Sequence, residues 1–122
     1  MGRSNLLGAW GENVAADYLL KKRYQLIARG FNCRYGEIDL IVKNRKYIVF
    51  VEVKLRKSAA FARAADFVDR NKQNRLRITA EIYLSQNPTE LQPRFDVIEV
   101  YAPEGESTRR AEIKHIEDAF GA

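Results

Sequence analysis

The spacing of apolar positions changes period along the chain, and each change predicts an element. Leu7, Trp10, Val14 and Tyr18 recur at helical spacing. A cap at Ser4 or Asn5 would start that helix, and Lys21-Lys22-Arg23 would end it near Lys22, where the helix dipole favours positive charge. Gln25 to about Arg34 reads as a strand interrupted at Gly30, followed by a turn at Tyr35-Gly36. The run GEIDLIVKNRKYIVFVEVKLR, from Gly36 to Arg56, reads as a hairpin turning at Asn44-Arg45. Its second strand is apolar on both faces, with Tyr47, Val49, Val51 and Val53 on one and Ile48 and Phe50 on the other. A strand of that kind is covered on both sides and belongs in the middle of a sheet. From Lys57 to Phe67 the pattern weakens to a loop or short helix. Asp69 suits the cap of a helix running to about Gln86, with Leu76, Ala80, Tyr83 and Leu84 as its buried stripe. Arg94 to Tyr101 reads as a strand parallel to the preceding one, reached by a right-handed crossover, and Arg109 to Ile116 as an edge strand. The expected fold class is α/β, a mixed sheet of about five strands flanked by helices.

The central hairpin carries charges in the most apolar part of the chain: Glu37, Asp39, Glu52 and Lys54. An unpaired charge in such surroundings costs several kcal/mol after relaxation, so the charges need a reason. With a two-residue turn at Asn44-Arg45, Lys43 faces Lys46, Asp39 faces Phe50 and Glu37 faces Glu52. Opposed residues and residues two apart share a face, which puts all four charges on one side. Asp39 and Glu52 become diagonal neighbours roughly 7–8 Å apart at Cα. Lys54 stands one pleat beyond Glu52, about 6.6 Å along the strand. Two such carboxylates suit Mg²⁺, a hard cation that keeps several of its waters. A neighbouring ammonium can orient a nucleophile or offset charge in a transition state. The set fits phosphodiester hydrolysis.

Glu12 lies beside the first helical stripe. Its neighbours three and four residues away, Gly8, Ala9, Ala15 and Ala16, are small and uncharged, which leaves room near its carboxylate. A crossover helix after the second hairpin strand returns its N-terminus towards Glu52 and Lys54. Ligands in open α/β sheets gather at that end, so Lys72 or Gln73 is placed to complete the site. His115, the single histidine, is expected in a polar surface role on the edge strand.

The length of 122 residues fits one domain, residues 1–122, with one core. Cys33 stands alone, which excludes an intramolecular disulfide and a cysteine metal site. No apolar run approaches the ~20 residues that span a bilayer, and the N-terminus lacks a signal-peptide pattern. A cytoplasmic protein without membrane association is the expectation. The net charge of +5 around an acidic centre suits a polyanionic partner.

The spacing D-x12-E-x-K, with Asp39, Glu52 and Lys54 in its three positions, resembles the core motif of the PD-(D/E)XK nuclease superfamily. Ile38 stands where the motif's proline would be. GEIDLIV, FVEVKLR and RFDVIEV together resemble the YraN family, small proteins grouped as candidate endonucleases near the archaeal Holliday-junction resolvases. The likeness covers roughly Gly8 to Tyr101. It implies a restriction-endonuclease-like core and Mg²⁺ or Mn²⁺ held by Asp39 and Glu52. A first-helix glutamate, Glu12, would complete the metal site. Lys54 would act on the attacking water, with Lys72 in support. The implied substrate is DNA, with branched or damaged forms among the candidates, and the resolvase-like relatives imply a homodimer. Asp96, in RFDV, reads as a structural acid or as one that supports a ligand from behind, since the spacing gives it no metal. Two other readings stand beside this one: a nucleic-acid-binding module that keeps the nuclease fold without turnover, and a metabolic or assembly protein whose acidic cluster is structural.

Overall fold

The computed structural model describes residues 3–57 and 68–121, with side chains from residue 7 onwards. Helix α1 (Arg3–Lys21) leads into strands β1 (Gln25–Cys33), β2 (Gly36–Lys43) and β3 (Tyr47–Arg56). Helix α2 (Arg70–Gln86) then crosses to β4 (Gln92–Tyr101), and a short 3-10 turn (Gly105–Ser107) precedes β5 (Glu112–Phe120). The sheet order is β1-β2-β3-β4-β5. Every pair is antiparallel except β3–β4, the pair joined through α2. The chain is thus α/β with a five-stranded mixed sheet, as expected, and the doubly apolar strand β3 is its centre. The stretch from residue 58 to 67, expected as a loop or short helix, lies outside the described residues.

The two apolar faces of β3 explain the two layers. On one face Val49 and Val51 join Leu40, Val42, Ile98 and Val100 under α1, which contributes Ala15, Ala16 and Leu19. On the other, Ile48 and Phe50 join Ile38, Ile41, Phe95 and Val97 under α2, which contributes Leu76, Ala80 and Tyr83. Small residues bring α1 close to the sheet. A Cβ on Gly11 would come within 2.8 Å of Leu55 Cδ2. The buried stripe of α1 is therefore Gly11, Ala15, Ala16 and Leu19, with Trp10, Val14 and Tyr18 half-buried along its flanks. The expected stripe of large residues is the rim of the contact. The helix also starts ahead of Ser4 and Asn5, so neither is its cap. Asp69 does cap α2, its side chain accepting from the Lys72 N–H at 2.8 Å.

The hairpin register differs from the expected one by two residues. Lys43 pairs with Ile48, Val42 with Val49 and Ile41 with Phe50. The turn has moved on to Arg45-Lys46 because Asn44 takes the position before it. The Asn44 N–H donates to the Tyr47 carbonyl (3.0 Å), and its side-chain oxygen accepts from the N–H groups of Lys46 and Tyr47 at 2.9 and 2.8 Å. An asparagine that caps its own turn in this way stabilises the position before the tight pair. A shift of two is even, so no side chain changes face.

Candidate functional site

Continued one step, the observed register sets Asp39 opposite Glu52 rather than diagonal to it. The regular ladder stops at Leu40–Val51, and beyond it the Asp39 carboxylate takes the Val53 N–H at 2.8 Å. On its other side, Asp39 faces Gly30 in β1, between the pairs Phe31–Ile38 and Arg29–Leu40. Gly30 has φ 64°, a left-handed conformation natural to glycine. The alternation of β2 breaks here too: Ile38 packs on the α2 side and Leu40 on the α1 side. Asp39 therefore sits at a twist in the strand, with no side chain opposite it in β1. Gly30 was legible only as an interruption. A glycine inside a strand often marks a close approach, and here an added Cβ would lie 3.7 Å from Glu37 Oε2.

Glu52 keeps only 7% of its surface exposed. It meets Lys72 Nζ at 3.2 Å from its Oε2, and its side chain stands against Asp39. The start of α2 thus reaches the site as the crossover argument required. Gln73 turns away, donating to the Val68 carbonyl at 2.9 Å. Burial pushes the Asp39 carboxyl up to about 8; the hydrogen bond with Glu52 and the negative charge of Glu52 and Glu12 add to this, and the Val53 N–H opposes it.

Lys54 shares the Glu52 face, two residues on, and stands beside Glu99 of β4 in the parallel register. Among the described residues it has no ion-pair or hydrogen-bond partner. Glu12 does find a basic partner, but from outside its own helix: Arg29 Nη2 lies 3.6 Å from its Oε1, and Arg29 also donates to Asn13 at 2.8 Å. Among the described residues no three His, Cys, Asp or Glu side chains converge closely enough to hold an ion. The structure brings together Asp39, Glu52 and Lys72, with Lys54 one pleat away. Glu12 acts on Asp39 through its charge.

Two buried acids near by have other duties. Glu99 is almost fully buried; it pairs with Arg56 at 3.1 Å and accepts from the Tyr101 hydroxyl at 3.1 Å. Asp96, on the opposite face, takes both Arg94 Nε and Nη2 at 2.8 Å, the Asp118 N–H at 3.0 Å and His115 Nε2 at 2.6 Å. Burial alone would raise the Asp96 carboxyl, yet its bonds to His115, Arg94 and Asp118 hold it below the usual range. The structural role expected of Asp96 is the one it has. His115 is not a surface residue: its side chain is buried between Asp96 and the Tyr18 hydroxyl, 3.1 Å from Nδ1. A cavity of about 370 Å³ at the far end of the sheet, by Lys43 and Asn87, has no acid in its lining. It is no candidate for this chemistry.

Fold and site together define an α/β protein with a nuclease-like core, its acid pair and lysines gathered where β2 and β3 part. The sequence model of the uncharacterised protein family UPF0102 matches residues 11–100, a span that contains Glu12, Asp39, Glu52, Lys54 and Lys72. A UPF0102 protein of Caldanaerobacter subterraneus is 44% identical over 115 residues, covering 93% of each chain. Those of Syntrophomonas wolfei and Thermodesulfovibrio yellowstonii are 41% and 40% identical, each over 93% of this chain and 96% and 95% of their own. The chain belongs to UPF0102, the YraN family. Among the described residues no helix is long and apolar enough to cross a membrane.

Proposed function

We propose that this protein is a divalent-metal-dependent endonuclease acting on DNA. The observation that carries the reading is the Asp39–Glu52 pair, two acids set against each other where the regular β2–β3 ladder ends. Asp39 is pushed to about 8, chiefly by burial. Two acids crowded together suit a cation, and their oxygens suit Mg²⁺ or Mn²⁺. Asp39 and Glu52 would hold the ion, with Glu12 lending negative charge from α1. When bound, such an ion lowers the pKa of a coordinated water and stabilises charge on a phosphoryl oxygen. Lys54, which has no carboxylate partner among the described residues, would orient the attacking water. Lys72 fixes the Glu52 carboxylate until a phosphate competes for its ammonium.

A second reading rests on the same contact seen the other way. Lys72 already supplies a cation to Glu52, and among the described residues only two acids converge, so a nucleic-acid-binding module without turnover is the alternative. Two measurements separate them. Mg²⁺ or Mn²⁺ should raise the melting temperature of the wild type according to RT ln(1 + [L]/Kd), and of Asp39→Asn and Glu52→Gln far less. A screen of duplex, single-stranded, flap and four-way DNA should then give cleavage that both substitutions abolish. Binding without cleavage and without a metal response would favour the second reading.

A further inference from the structure

Among the described residues three large apolar side chains stand exposed, and one of them, Tyr35, forms the β1–β2 turn at 43% exposure. The turn leads into β2 only four residues before Asp39, at most roughly 13 Å of extended strand. It is held firmly. The Tyr35 N–H donates to Cys33 Sγ at 3.4 Å, and that sulfur lies 3.6 Å from the Thr79 hydroxyl of α2. Gly36 packs on α2 as well, where an added Cβ would lie 3.3 Å from Thr79 Oγ1 and 3.7 Å from Arg75 Cβ. The Arg34 guanidinium stands over the ring, 5.3 Å from its centroid. Arg34 and Arg75 are both exposed, and among the described residues neither has a carboxylate partner. An anchored, exposed aromatic ring between unpaired arginines, beside a phosphodiester-cleaving centre, has the composition of a stacking platform for single-stranded nucleic acid.

We infer that Tyr35 stacks an unpaired base of the strand whose backbone passes Asp39 and Glu52. The inference rests on the nucleic-acid reading above and adds a preference for unpaired bases near the scissile position. The separation fits: roughly four stacked steps at about 3.4 Å each, and fewer once the strand is stretched. Arg34 and Arg75 meet flanking phosphates, and a base fully paired in a duplex presents no face to the ring.

The test uses the full chain in EDTA, so that no cleavage intervenes. Anisotropy titrations compare a labelled single strand with its duplex, for wild type, Tyr35→Ala and Tyr35→Phe. A 2-aminopurine in the single strand reports stacking through quenching. Tyr35→Ala should weaken single-strand binding about 5- to 100-fold, the fold-change expected for losing one stacked base. It should leave duplex binding within about twofold and abolish the quench, and Tyr35→Phe should keep both. Equal losses on strand and duplex, or an unchanged quench in Tyr35→Ala, would overturn the platform. In that case an intact metal response and duplex binding would leave the nuclease reading standing. A wild type that binds neither oligonucleotide would remove both.

Discussion

Taking water away from Asp39 and setting Glu52 against it keeps a proton on the pair up to about pH 8. The sign of the consequence follows from linkage. An unfolded aspartate ionises near 3.9, so between about 4 and about 8 the folded state holds the extra proton. Metal-free stability must then fall as pH rises through that window and level off above it. Asp39→Asn keeps the shape and the acceptor for the Val53 N–H but cannot titrate. It should be at least about 1 kcal/mol more stable than wild type at pH 8, the equivalent of under one pKa unit, with the gap closing towards pH 4. Urea unfolding in EDTA across that range measures it, and parallel pH profiles would show that Asp39 is not buried as a charged group. Asp96 works in the opposite sense, since its folded-state value is depressed, and it loses stability only as pH falls into the acid range. What separates the two acids is partnership: Arg94 and His115 meet Asp96, and only the Val53 N–H favours ionised Asp39. No residue-level pattern distinguishes them, because the Asp96 partners include a histidine 19 residues on and Asp39 is set against a glutamate across a turn.

At the scale of elements the hairpin was legible in its faces and illegible in its register. The period of two fixes which side each charge takes, so Asp39, Glu52 and Lys54 could be put together from the sequence. The register depends on whether Asn44 opens the turn or precedes it, and its side chain settles that with two hydrogen bonds. Helix α1 was misread for a related reason. Trp10 and Tyr18 look like a core stripe, yet close approach to the sheet is made by Gly11, Ala15 and Ala16. The apolar face of α2, by contrast, was plain from Leu76, Ala80 and Tyr83, because those residues fill the space over Phe50. The Phe50 ring meets Tyr83 edge-on at 6.1 Å and Phe95 at 5.5 Å. Phe50→Ala should cost ~3–5 kcal/mol through the cavity it leaves, read as a lower urea midpoint. The same substitution should leave the fractional metal response of the remaining folded protein intact, since Phe50 contributes packing and no ligand. A loss below ~1 kcal/mol would mean that α2 collapses onto the gap.

Across the whole molecule the net charge of +5 says only that polyanions are welcome; the structure says where. Arg56 belongs to Glu99 and Arg94 to Asp96, so neither is available to a phosphate. Arg63, in the stretch ahead of α2, lies outside the described residues. The exposed cations bordering the acid pair are Arg34 on the β1–β2 turn and Arg70, Lys72 and Arg75 on the first half of α2. Arg45 and Lys46 are exposed too, but they form the β2–β3 turn at the opposite end of the sheet. The two groups carry the same charge in different places, which permits a test of location. If DNA lies across the acid pair, log affinity for duplex should fall linearly with log salt, by about 0.9 for each phosphate neutralised. Replacing Arg70 and Arg75 by Gln should lower the slope by about 1.8, two contacts' worth. Replacing Arg45 and Lys46 by Gln removes as much net charge and should leave the slope unchanged. Equal changes in slope from the two pairs would mean that binding follows the overall charge, and the footprint over Asp39 and Glu52 would have to be given up.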